Sequence, residues 1–221
     1  MKRVLVLFLL GGSVCFRSAQ SRGQGTFVNL NFEAANVPAN TPDGAVLTVN
    51  QALPGWTILS GAGVGYNFVS LGGAYVSLFG PSFGAIQGNY SASLVGGFLP
   101  QGPNPSASIG QTGQIPQNAQ TLIFWASPGN SLQAAFDGQM LPLIQLGSGA
   151  NYVVEAASIS SYAGKTGQLS FTAPPLVYGG YNLLDNIQFS TNTLPVPEPC
   201  TSILFLIGMA LLGVVRWRML R

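Results

Sequence analysis

The chain has 221 residues, enough for one well-buried domain; 6% are charged, and it has no histidine and two cysteines. Its formal charge of +2 is the balance of basic ends and an acidic body, because between Gly23 and Leu194 only Lys165 stands against Glu33, Asp43, Asp137, Glu155 and Asp185. That mildly acidic body excludes phosphate-directed nucleic-acid binding. The absence of histidine, and of cysteine from the body, excludes catalytic triads, Cys–His dyads and zinc sites of the usual ligand types.

Lys2 and Arg3 precede an apolar run from Val4 to Val14, the n-region and h-region of a secretory signal peptide. Ala19 and Ser21 are small residues at the −3 and −1 positions, so cleavage is expected after Ser21, with a leader of residues 1–21. A retained N-terminal anchor is the alternative. Val14 is a bulky neighbour for Cys15, a poor match to a lipoprotein box.

Residues 22–194 read as β-structure. Val28 to Phe32 alternates apolar and polar, the pattern of a half-buried strand. Pro38, Pro42 and Asp43-Gly44 mark a loop. Short strands are expected at 45–49, 56–59, 66–69, 74–79, 91–95 and 106–109, and Pro100 to Pro105 reads as an exposed loop. Gly61-Ala62-Gly63-Val64-Gly65 has the glycines of a phosphate-binding loop without a following helix, so it reads as a flexible lead into a strand. Thr121 to Ala126 is apolar on both faces, hence a central strand. Leu132 to Phe136, Asp137-Gly138 and Gln139 to Leu146 predict a hairpin, with Pro142 demoting part of the return strand to an edge or a bulge. Strands at 152–159, 168–172 and 181–189 complete the set. With no sustained helical periodicity, the fold class is all-β: a single jelly-roll-like antiparallel β-sandwich.

Residues 195–221 change character. Pro197 and Pro199 bracket Glu198 and hold the chain extended. An uncharged apolar run continues to Val215, followed by Arg216, Trp217, Arg218 and Arg221. About 16 helical residues from Cys200 to Val215 span roughly 24 Å, short of the ~30 Å hydrocarbon layer. Trp217 and snorkelling arginines extend that reach, so a short transmembrane helix with a cytoplasmic basic end is expected.

Val196, Pro197, Glu198, Pro199 and Cys200, the apolar segment and the terminal arginines resemble, in order and spacing, the PEP-CTERM sorting signal of exported bacterial proteins. The resemblance implies a membrane-held intermediate, recognition by exosortase, and release or transfer to the cell surface or extracellular matrix. Cys200 stands where a small Ser, Thr or Ala is more usual. An ordinary tail anchor predicts retention instead.

Within the body, Asn29-Leu30-Asn31-Phe32-Glu33, Pro54-Gly55-Trp56-Thr57 and Leu184-Asp185-Asn186-Ile187 resemble galactose-binding-like jelly rolls, which include carbohydrate-binding modules. The resemblance implies paired first and last strands, and Glu33 and Asp185 as carboxylate ligands of a structural calcium ion, helped by backbone carbonyls. The alternative is that both carboxylates cap loops. Strand alternation places Asp185 on one face with Leu183, Ile187 and Phe189, so it needs a partner or a bulge that turns it outward. Trp56 and Trp125 fit core packing better than sugar stacking, while Tyr66, Tyr75, Tyr90, Tyr162 and Tyr178 are unassigned. Asn89-Tyr90-Ser91 matches a glycosylation acceptor, of little weight in a bacterial chain. The expected protein is a non-catalytic exported surface or matrix protein with the membrane and exosortase as partners. The alternative is an exopolysaccharide-binding module anchored at the envelope.

Overall fold

A computed structural model describes residues 25–70, 72–98, 105–175 and 180–195. The expected leader with Ala19 and Ser21, Tyr178, the Val196 to Cys200 motif, the apolar tail and Arg216, Arg218 and Arg221 lie outside the described residues. Among the described residues, no helix is long and apolar enough to cross a membrane.

The body is a β-sandwich. Its larger sheet has eight strands in the order β1 (Val46–Leu47), β3 (Ala62–Tyr66), β4 (Tyr75–Phe79), β5 (Ser91–Val95), β13 (Asn182–Ser190), β7 (Thr121–Ala126), β11 (Val153–Ser158) and β10 (Ile144–Ser148). The smaller has five, β2 (Thr57–Ser60), β6 (Ala107–Gln114), β12 (Thr166–Ala173), β8 (Gln133–Phe136) and β9 (Gln139–Leu141). Pairing is antiparallel except for β3 with β4, which run parallel. The Gly61 to Gly65 stretch is therefore largely strand β3 itself. A single helical turn, α1 (Val49–Ala52), opens on a capping box in which Thr48 and Gln51 satisfy each other's backbone N–H groups.

Aromatic rings tie the layers together. Phe32 lies 5.7 Å from Trp56, Trp56 lies 6.2 Å from Phe171, and Phe171 meets Phe124 edge-on at 5.0 Å. The last two rings come from opposite sheets, β12 and β7, so this row spans the core. Trp56 donates its indole N–H to the Asn29 carbonyl at 3.0 Å, as a buried indole must.

The segment expected as a first strand is instead a series of turns. Asn29 and Phe32 take left-handed backbone angles, φ 50° and 59°. Phe27, Leu30 and Phe32 turn inward and Val28 outward, which breaks the expected alternation of Val28, Leu30 and Phe32. Asn29 tolerates that conformation and uses its side chain to accept from Ala34 N–H and donate to Pro54 O. Phe32 is bulky and strained there, but its ring is fully buried against Trp56. The segment is held by a side chain acting as a strand: Gln111 Oε1 accepts from Val28 N–H at 2.6 Å and Gln111 Nε2 donates to Val28 O at 3.0 Å. First and last segments do meet, through Ile187 N–H donating to Leu30 O, but the ladder partners of β13 are β5 and β7.

The hairpin forms as expected, with Asp137 and Gly138 at φ 47° and 75°. Its return strand ends at Leu141, and after Pro142 and Leu143 the chain crosses into the other sheet as β10. Proline's missing donor and fixed φ suit this corner.

Phe171→Ala should cost about 3–5 kcal/mol, because it empties the middle of the aromatic row. Thr57→Ala, at an exposed position, should stay within about 0.5 kcal/mol. Urea denaturation checks both; equal losses would mean that the row is not the centre of the core.

Candidate functional site

Two features stand out on the larger sheet's outer face, and the first is built from the acids singled out in the sequence. The first is a turn of residues 86–91 held between two carboxylates. Asn186 takes φ 47° and the register of β13 shifts between Asp185 and Gln188, a bulge. The bulge divides the expected shared face. Leu183 joins an outer cluster with Phe79 and Ile86, whereas Ile187 and Phe189 join the main core. Asp185, two residues from Leu183, is fully buried beneath the turn. Its Oδ2 accepts from Ser91 Oγ at 2.7 Å and Gln87 N–H at 3.1 Å, and its Oδ1 from Asn186 N–H at 2.6 Å. Glu33 grips the same turn from the N-terminal segment. Its Oε1 accepts from the N–H groups of Asn89 at 2.8 Å and Tyr90 at 2.9 Å, and its Oε2 from Asn89 Nδ2 at 3.0 Å. The Asn89 side chain of the acceptor-like triplet is exposed but already donates to Glu33. Gly88 has φ +63°, and a Cβ there would meet Glu33 Oε1 at 2.3 Å, so the grip needs glycine.

The electrostatics follow from burial. Desolvation pushes the Asp185 carboxyl up to about 7, with a smaller push from the negative charge of Glu33; the three hydrogen bonds work in the opposite direction. Lys165, the one basic side chain among the described residues, lies 5.5 Å over the Tyr162 ring instead of beside either acid. The Tyr90 hydroxyl is also raised, by burial first and then by Tyr66 and Glu33.

Among the described residues no three acidic, histidine or cysteine side chains group as a metal site. As calcium ligands Glu33 and Asp185 would supply charge and one remaining lone-pair direction each, on Glu33 Oε2 and Asp185 Oδ1. The rest of a shell of roughly six to eight oxygens would fall to backbone carbonyls and water. The groups that meet the two carboxylates are N–H and O–H donors, which matches the capping alternative in hydrogen bonding.

The second feature is aromatic. Trp125, expected in the core, faces outward from β7 and stacks on Tyr152 with centroids 4.1 Å apart and planes at 4°. Both pack against the outer cluster. Phe79, in that cluster, meets Phe83 edge-on at 4.8 Å and Tyr181 at 5.2 Å. Phe83 and Tyr181 keep 41% and 46% of their surface exposed. This ridge was missed in the sequence, although Tyr181 and Leu183 alternate in the strand expected at 181–189, as Ile123 and Trp125 do in that of Thr121 to Ala126. Trp56 is in the core as expected. Of the tyrosines left unassigned, Tyr66, Tyr90 and Tyr162 pack on the core, and Tyr75 meets Phe68 edge-on.

In EDTA-containing buffer, stability should fall as pH rises from about 4 to about 7 and then level off. The folded state holds a proton on Asp185 that the unfolded chain, with an ordinary aspartate near pH ~4, has released. Asp185→Asn should flatten that slope. Urea midpoints measured across this range check it, and a slope unchanged in the variant would assign it elsewhere.

No family model matches the chain, and no curated protein does. Solved structures with a related outline include TmCBM61 in complex with β-1,4-galactotriose, at 13% identity and TM-score 0.43, covering 76% of this chain and 98% of that one. A family 11 carbohydrate-binding module from Clostridium thermocellum, in complex with a β-1,3-1,4-mixed-linked tetrasaccharide, matches at 11% identity and TM-score 0.36, covering 68% and 96%. The enzymatically active domain of bacteriophage CBA120 tailspike protein 4 matches at 16% identity and TM-score 0.37, over 62% of this chain and 19% of that one. At these scores they are likenesses of outline only.

Proposed function

We propose that the chain is an exported, non-catalytic protein of a bacterial cell surface or extracellular matrix. The observation that carries this reading is the C-terminal order of Pro197-Glu198-Pro199, an uncharged apolar run and Arg216, Arg218 and Arg221, set against a basic-then-apolar N-terminus. The apolar run holds the protein in the membrane with its arginines in the cytoplasm, and exosortase acts at the proline-bracketed motif. Intact mass of the protein from the envelope and extracellular fractions of its host tests it. The expected mature chain has lost residues 1–21 and ends near Pro197 to Cys200; one still ending at Arg221 would leave a plain tail anchor.

A carbohydrate-binding role for the sandwich is supported by the outer-face ridge. Phe83 and Tyr181 present open ring surface on a face with no basic side chain among the described residues, which suits stacking on neutral pyranose rings. On a glycan array, saturable binding to a neutral polysaccharide is expected, weakened about tenfold or more by Tyr181→Ala. Binding equal in the variant would move the site off the ridge.

A structural calcium ion at Glu33 and Asp185 belongs to the same reading, supported by two carboxylates on one turn that no basic side chain among the described residues accompanies. Added calcium should raise the thermal midpoint of the wild type but not of Glu33→Gln. An unmoved wild type would leave both acids as caps of the 86–91 turn.

A further inference from the structure

The flank that carries β9 and β10 is apolar and almost without charge. Met140 on β9 is 57% exposed, and Ile144 and Leu146 on β10 are exposed at 40% and 41%. β9 ends the order of the smaller sheet and β10 that of the larger, and only Pro142 and Leu143 separate them, so both edges lie on one side. From Gly138 to Val154 no side chain but Tyr152 is ionisable. The bulge between Gln145 and Gly147 makes β10 irregular, which suits its edge poorly to a further strand.

The chain leaves the sandwich on this same side. After β13, Thr121 Oγ1 donates to Asn192 O at 2.6 Å and ties the exit to the start of β7. Leu194 and Pro195 then border a cleft of about 230 Å³ together with Ile123 and Leu146, which places Pro195 beside the β10 side of the larger sheet. From Pro195 to Cys200, where the apolar run begins, the chain can extend at most about 18 Å. Eight strands make the larger sheet about 34 Å wide at ~4.8 Å per spacing, so the tether reaches across roughly half of it.

We infer that this flank rests on the surface of the lipid bilayer, with Ile144 and Leu146 set into its interface. The inference depends on the membrane span proposed for the apolar run. A tether this short holds β10 near the bilayer whatever the tilt of the body, and exposed aliphatic side chains gain free energy by leaving water there. The charges select the same side. Asp185 lies on β13, Glu33 on the turn that leads into β5, and Asp43 beside the end of β3, all toward the β1 edge. Placing β10 down therefore keeps these three acids from anionic headgroups. The acids nearest this flank are Asp137 and Glu155, which accept hydrogen bonds from Gln168 N–H and from the Asn130 side chain.

The test uses the full chain in vesicles of phosphatidylcholine and phosphatidylglycerol, with Cys15→Ser and Cys200→Ser so that one added cysteine carries a fluorophore. On Gln145→Cys the fluorophore should be quenched by lipid-borne spin labels several-fold more than on Val46→Cys, which is exposed on β1 at the opposite edge. Adding Leu146→Asp should bring the first value down toward the second, and Ile144→Asp should do the same. Circular dichroism matched to the wild type selects the variants that are counted, and flotation with the vesicles shows that the chain is held. A floating chain quenched equally at both edges, or quenched at Gln145→Cys regardless of either aspartate, would overturn the docking and leave the membrane span standing. A full chain that does not float would overturn both.

Discussion

The bulge in β13 sets which way the central strand of the larger sheet faces. By taking left-handed angles at Asn186, the chain adds a residue to the count and reverses the alternation halfway along. Upstream of it, Leu183 and Asp185 serve the outer face; downstream, Ile187 and Phe189 serve the core. The N–H of Ile187, just past the irregularity, is donated to the Leu30 carbonyl, which fixes the N-terminal segment and with it Glu33. A regular strand would put Asp185 into the main core or Phe189 out of it. The two-sided hold on the 86–91 turn thus depends on one asparagine's tolerance of positive φ.

A chain this poor in charge meets its polar obligations with amides and hydroxyls. Gln111 stands in for a missing strand beside Val28. Asn67, buried and left-handed, donates to Asp43 and accepts from Gly80 N–H at 2.7 Å. Asn182 accepts from Ser131 N–H and donates to Leu94 O, bridging a loop and a strand. These contacts join segments far apart in sequence, and the buried partners in them are neutral, which avoids the desolvation cost of ions. Asp185 is the exception, and its raised pKa is the sign of that cost.

Much of this was legible in the chain. The Thr121 to Ala126 run, apolar on both faces, lies inside the sheet between β13 and β11, and Asp137-Gly138 turns the hairpin as its residue types require. Pro142 signalled an edge or bulge, yet a crossing between sheets depends on where the core lies, which local pattern does not encode. Val28 to Phe32 misled because alternation is a period-2 signal that a run of turns can imitate when Asn29 and Phe32 reverse the chain. The meeting of Glu33 and Asp185 on one turn came from a family resemblance; no spacing in the sequence states it. Trp125 does pack on a buried apolar cluster, but on the smaller one of the outer face beside Tyr152, because an apolar strand seen alone does not say which cluster each face serves.

The place of β13 also bears on mechanics. It carries hydrogen-bonded neighbours on both flanks, β5 and β7, and its last residue, Ser190, precedes the final described residues, 191–195. Tension drawn through that stretch acts along the strand, so the bonds to β5 and β7 are loaded together in shear instead of opening one at a time. A domain towed from this end resists as a clamp does, and its weaker path lies at the outer strands.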